Sequence, residues 1–455
     1  MATKKDRGKQ TDQLPDGAAG ARVSSPVEEL LLAALERGGD SFETGRYLVT
    51  FKESATEEGL QSLGAQGMRV ADARNFDGQA ATMESVGDAD AMLFPEIGVA
   101  LLGGDAAQER SMTAGAEVAA DSPIESIDPE YFVFANSNYG GYPQGGFAQT
   151  AEGTSGEHLR SAARILEAIA REMYGARQPQ LEMEEDAMAL GATWGLTACK
   201  VPQSVRSGAG IKVAVLDTGM DLRHPDFAGR PVVSQTFVGQ PVQDLHSHGT
   251  HCIGTACGPQ APAGTTPRYG CGYRSLIFVG KVLSNSGSSV GGSVLAGMNW
   301  AVANRCAVIS MSLGGPGGPF PSYTAAGQAA LNNGCLMIAA SGNEARSAGA
   351  PANSPTIMSV ASLDQALSPS SFSNFGKIEI AAPGRDVFSS VPRPTRYGTK
   401  SGTSMATPHV AGCAALWAET SPKLRGMNLW NKLRATAKSL PFPASRVGAG
   451  LVQAP

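Results

Sequence analysis

Three side chains stand in settings that could do chemistry. Ser404 lies in GTSMATPHV, residues 402–410, just after a Gly-Thr turn. The alanine-rich apolar run that follows, over 405–417, predicts a helix. A serine at a helix N-terminus sits among backbone N–H groups that lack intrahelical partners, at the positive end of the peptide dipoles. Acyl transfer needs such a place, because its tetrahedral intermediate carries an oxyanion. The hydroxyl also needs a base to activate it. Three of the six histidines fall in HSHGTHC, as His246, His248 and His251. Upstream, IKVAVLDTG predicts a short apolar strand over 211–216 that ends at Asp217. In chain order Asp217, His248 and Ser404 are a carboxylate to orient, an imidazole to carry a proton and a hydroxyl to attack.

Each of these residues also has a plainer reading. Asp217 could cap a turn, and Ser404 could be an ordinary helix N-cap. His248 and His251, three apart on one helical face, could bind zinc. No HExxH glutamate or CxxC pair accompanies them, so no metal is assigned there. His246 and His409 read as structural. Agreement in order and spacing among separate segments weighs against coincidence.

Those segments are VAVLDTG, HGTHCIGT, SMSLGG, AASGNE, FSNFG, AAPG, GTSMATPHVAG and GAGLV. Over about 194–454 they resemble the subtilisin-like serine peptidases, family S8. The resemblance implies an α/β fold, a mainly parallel sheet flanked by helices, preceded by a small α+β pro-domain. It implies a serine endopeptidase working through an acyl-enzyme at Ser404, with His248 as base, Asp217 orienting it and Asn343 as oxyanion donor. Ser312, Leu313, Gly314 and Gly315, at the end of the strand predicted over 307–313, would pair with a substrate backbone by strand addition. Ser310 stands where the family usually shows Asn. Gly349 would leave an S1 pocket open for an apolar or aromatic P1 residue. The short 343–351 loop and Cys252, four residues after His248, resemble the proteinase K-like members. Seven cysteines are no disulfide framework, although Cys257 and Cys271 flank a Pro/Gly loop and could pair under oxidising conditions. Asp226 matches a calcium ligand of many relatives, but residues 258–270 hold no acidic side chain. The expectation is no resident cofactor, with weak Ca2+ binding at most near Asp226.

Composition sets outer bounds. A net charge of −5 argues against nucleic acid as partner, and no apolar run is long enough to span a membrane. The first residues are basic without an apolar stretch behind them, so the default location is cytoplasmic, with leaderless secretion as the alternative. Four parts are expected: 1–44, a polar tail and short helix; 45–135, a pro-domain; 136–190, a linker with one helix; 191–455, the catalytic domain. The helix begins at a capping box over 25–28 with Pro26 inside it and should run to about Arg37 before Gly38-Gly39. Its leucines should dock on something that spacing alone does not identify. Residues 45–135 resemble inhibitor I9 pro-domains through YLVTFK and IESIDPEYFVFA, with further strands expected near 81–86 and 97–102. Self-cleavage would then fall near 134–136. The expected partners are a polypeptide substrate and the chain's own pro-domain as intramolecular inhibitor. Two other functions compete: a dedicated intracellular processing protease, and a non-catalytic binding scaffold.

Overall fold

The structure is a computed structural model that describes residues 26–36, 42–76, 82–83, 86–113, 119–135, 191–264 and 266–455. The polar tail and the linker helix expected over 159–174 lie outside the described residues. A helix, Pro26–Glu36, comes first. Five strands follow: β1 Glu43–Phe51, β2 Val70–Asp72, β3 Ala91–Phe94, β4 Val99–Leu102 and β5 Ile124–Ala135. They lie in the order β5-β1-β4-β3-β2, with helices Thr56–Ala65 and Gly104–Glu109 between them in sequence. The strand expected near 81–86 is not seen among the described residues there; β3, ten residues on, takes its place. Its four residues AMLF, cut off by Pro95, are too short for alternation to reveal a strand.

Alternation makes this sheet two-faced. Val49, Phe51, Leu93 and Leu102 pack with Leu63 and Ala107 of its own helices. Leu48, Met92, Phe94 and Leu101 point the other way, into a cluster with Val294, Leu295 and Tyr323. Those last residues belong to helices Gly291–Ala303 and Pro321–Asn332 of the C-terminal unit.

The C-terminal unit is built on β6 Lys212–Asp217, β7 Val232–Thr236, β8 Leu276–Lys281, β9 Ser288–Val290, β10 Val308–Met311, β11 Leu313–Gly314, β12 Leu336–Ala340, β13 Met358–Leu363 and β14 Ile380–Pro383. β15 Val387–Ser390 and β16 Tyr397–Lys400 form a separate hairpin. The main sheet runs β14-β13-β12-β10-β6-β8-β7, and every pairing in it is parallel. Continuous apolar strands such as Val-Ala-Val-Leu suit a sheet covered on both faces. Helices His248–Cys257 and Thr403–Thr420 supply much of one cover, through Ile253, Val410, Ala414 and Leu416. The 403–420 helix is buried almost all round, which its alanines and glycine permit. No helix among the described residues is long and apolar enough to cross a membrane.

Candidate active site

Ligands of open parallel sheets gather at the carboxyl ends of the strands, and Asp217 is the last residue of β6. Its Oδ1 accepts the Thr218 N–H at 2.7 Å and lies 2.8 Å from Nδ1 of His248. His248 opens the 248–257 helix, and both side chains are buried. Gly249 makes this approach feasible: a Cβ there would stand 2.3 Å from the Gly219 carbonyl oxygen. Burial works to raise the Asp217 carboxyl. The charge of His248 and hydrogen bonds from His248 and Thr218 outweigh it, so the group stays below the usual carboxylate range. Asp244, a residue that sequence reasoning missed, shapes the turn before His248. Its Oδ1 accepts the N–H groups of His246 and Ser247, and its Oδ2 accepts those of the Thr250 backbone and hydroxyl. An acid four residues before a histidine and six before a threonine was the available signal. Lys281 was missed too. It is fully buried, donates to the Thr218 carbonyl and Asn285 Oδ1, and burial pushes it down to about 8, against the pull of Asp244 and Asp217.

Ser404 is the second residue of the 403–420 helix. Its Oγ donates to the Ser312 carbonyl at 3.3 Å, and its own carbonyl accepts from Ser312 Oγ at 2.8 Å and from Cys252 Sγ at 3.6 Å. Cys252 Sγ also lies 3.9 Å from His248 Nδ1, so the thiol wedges between the histidine and the serine backbone. The buried Nε2 of His248 makes no hydrogen bond among the described residues. Asn343 reaches the same helix end. Its Oδ1 accepts the Thr403 N–H at 2.8 Å and the Thr403 hydroxyl at 3.0 Å. A backbone N–H can only donate, so the oxygen is fixed on that side and Nδ2 is kept as a donor for other acceptors.

The cleft beside Ser404 is filled by the end of β5. Phe134 and Ala135 pair with Gly314 and Leu313 of β11 on one side, and Phe132, Val133 and Phe134 pair with Val290, Ser289 and Ser288 of β9 on the other. Ala135 also donates its N–H to Gly287. A buried acid locks this strand. Glu130 Oε1 accepts the Gly292 N–H at 2.6 Å, capping the 291–303 helix, while Thr44 and Arg46 bond its Oε2. Gly315 exchanges both backbone hydrogen bonds with Ala350. Beyond Ala135 a pocket opens between these segments, lined in part by Gly315, Gly349, Glu344, Arg346 and Asn374. A Cβ on Gly349 would come 2.6 Å from the Gly315 oxygen, so that glycine serves a close backbone contact. Phe134, Pro316, Ala340 and Ala350 line the pocket too, and one wall is polar. Glu344 accepts from the Asn343 N–H and from Asn374 Nδ2.

Against known proteins, the subtilase family model matches residues 208–450. The chain belongs to the subtilase family. It is 39% identical over 283 residues to an alkaline protease of Alkalihalobacillus alcalophilus, covering 60% of this chain and 72% of that protein. Subtilisin Savinase of Lederbergia lenta is 39% identical over 273 residues, 58% of this chain and 98% of its own. A subtilisin of Bacillus pumilus is 36% identical over 265 residues, 55% and 94%. This subtilase is a serine endopeptidase with an α/β, mainly parallel-sheet fold.

The donor set around Asp226 does not fit calcium in this subtilase. Tyr269 donates to its Oδ2 at 2.5 Å, and Tyr397 donates to both oxygens at 3.0 and 3.1 Å. Both carboxylate oxygens are thus occupied by phenols, which a cation would have to displace, and the loop at 258–270 supplies no other anion. The histidine pair weighed for zinc also diverges: His248 faces Asp217, and His251 Nε2 bonds the Val387 carbonyl. Asp217, His248 and Cys252 do bring three ligand atoms within 4.8 Å. Burial holds the Cys252 thiol well above its ordinary value, which keeps it protonated and a poor ligand. All seven cysteines are buried and unpaired, Cys257 and Cys271 included. Ser310 is buried in β10, and its hydroxyl makes no hydrogen bond among the described residues.

Proposed function

We propose that this subtilase cleaves polypeptides with Ser404 as nucleophile, His248 as general base and acid, Asp217 as its orienting anion, and Asn343 with the Ser404 N–H as oxyanion donors. Ser404 Oγ attacks the scissile carbonyl carbon while its proton passes to His248 Nε2. The carbonyl electrons move onto the oxygen, facing the two donors. On collapse the C–N bond breaks and the amine leaves with that proton. Water then attacks the acyl-serine by the reverse relay, releasing the acid and restoring the hydroxyl. The 2.8 Å contact between Asp217 and His248, under a serine held at a helix N-terminus, carries this reading. The buried Cys252 and the short 343–351 loop support a proteinase K-like affinity within the family.

The N-terminal unit, we infer, is an I9-like pro-domain that inhibits as a product of self-cleavage, with the chain made as a zymogen. Support comes from β5, which is added as a strand between β9 and β11 where a substrate would lie. In that antiparallel register Phe134 stands against Gly314 and Ala135 against Leu313. β11 directly follows Ser312, whose carbonyl accepts the Ser404 hydroxyl. Self-cleavage is therefore assigned to the neighbourhood of residues 134–136, where this strand ends. The test pairs a fluorophosphonate probe with N-terminal sequencing. Processed protein should be labelled at Ser404 and begin within a residue or two of position 136, while Ser404→Ala should stay a single chain. Unlabelled processed protein, or processing in the alanine variant, would refute the reading.

A further inference from the structure

The helix Pro26–Glu36 precedes the unit read as the pro-domain, and no step of the reaction uses it. It is nonetheless docked. Val27 and Leu31 are buried, in one cluster with Phe132 of β5 and with Val238 and Val290 of the catalytic unit. Leu30, Ala34, Phe42 and Phe134 pack at its margin. Pro26 rests on Gly239, where an added Cβ would come 3.0 Å from the proline ring. Phe42, just ahead of β1, is pinned as well: Phe132 donates its N–H to the Phe42 carbonyl at 2.9 Å, and the Phe42 and Phe134 rings meet edge to face. The helix therefore touches both the strand in the cleft and the catalytic surface beside it. Leu32, on the other side of the same helix, is half exposed.

We propose that the face formed by Val238, Gly239 and Val290 is a docking site for this N-terminal helix, and that the helix clasps β5 in the cleft and slows its departure after self-cleavage. The proposal rests on the inhibitory reading of the N-terminal unit. β11, β9 and the Glu130 cap hold the strand by main-chain hydrogen bonds and one buried acid. The clasp adds a second, apolar attachment on the outer side of the same strand. Only residues 37–42 separate the helix from β1, so it binds as a tethered ligand at high effective concentration. Losing it should speed release without touching the bond that is cut.

The test compares four purified full-length chains: wild type, Val27→Ala/Leu31→Ala, Val27→Asp/Leu31→Asp, and Leu32→Asp. Two quantities are followed, the rate of self-cleavage and the lag before a chromogenic peptide is hydrolysed. Self-cleavage should proceed equally in wild type, the alanine pair and Leu32→Asp. The lag should shorten several-fold in the alanine pair, about tenfold in the aspartate pair, and not at all in Leu32→Asp. A wild-type lag left unchanged in an alanine pair that still processes would overturn the clasp alone. Failure of the alanine pair to process would make the helix a folding element and overturn the clasp too. Processed wild type with no lag would refute the inhibitory reading itself and, with it, this one.

Discussion

Ser312 and Ser404 exchange hydrogen bonds in both directions: each hydroxyl donates to the other's backbone carbonyl, at 2.8 and 3.3 Å. The residue that precedes β11, the strand proposed to pair with substrate, is thereby tied to the proposed nucleophile. Any peptide paired with β11 is placed relative to Ser404 by this exchange, without further adjustment.

Ser312→Ala removes one of the two bonds. The Ser404 carbonyl keeps the Cys252 thiol at 3.6 Å, so the loss of stability should be modest, about 1 kcal/mol. Turnover should fall about tenfold, because small misplacements of a reacting atom are expensive. KM should barely move, since β11 pairs through its main chain. Steady-state kinetics on a chromogenic peptide check this; a raised KM at unchanged kcat would contradict it.

Asn343→Ala removes the carboxamide that Thr403 holds in place. A subtilisin lacking the equivalent donor loses about 10²–10³ in kcat, and a similar loss is expected here. Binding of a substrate should be nearly unchanged, because the donor acts on charge that develops only in the transition state. A defect confined to KM would remove Asn343 from the oxyanion role.

The sequence makes some of this legible and hides the rest for physical reasons. Asp217, His248 and Ser404 can be placed at a strand end and two helix starts because glycines and apolar runs bracket them locally. The parallel sheet follows from continuous apolar strands such as 212–217. Glu130 gives no such signal: the N–H it caps, at Gly292, lies 162 residues away. The amphipathic character of 26–36 is readable, but its partners Phe132, Val238 and Val290 come from three distant segments. Nothing near Asp226 in sequence announces Tyr269 and Tyr397.

The buried imidazoles of His251 and His409, with the partly buried His246, set the acid side of stability. Burial pushes His246 down to about 3 and His409 to about 4, and holds His251 well below its ordinary value. Unfolded histidines titrate near 6.5. Between that value and the folded ones, the unfolded chain binds protons that the folded chain refuses, so stability falls as pH drops from about 6.5 toward 4. His409 alone should contribute on the order of 3 kcal/mol of that loss. Thermal midpoints of the Ser404→Ala chain, which cannot digest itself, should drop steeply from pH 7 to pH 4. Adding His409→Gln should flatten the drop even if it lowers the midpoint at pH 7. Equal slopes in the two proteins would exclude His409 as a source.

Chelation should matter little at Asp226. Its carboxylate already accepts from two phenols, and a hydrogen bond to a charged acceptor is worth about 1.5–3 kcal/mol when buried and less where water reaches it. Tyr269→Phe should therefore destabilise the protein by about 1–2 kcal/mol, more than Tyr397→Phe, because Tyr269 is the more buried of the two. Calcium added to the Ser404→Ala chain should leave its thermal midpoint unchanged through this site, as should a chelator. A calcium-dependent rise in the midpoint that Asp226→Asn abolishes would show that the cation competes successfully with both tyrosines, and the donor-set argument would fall.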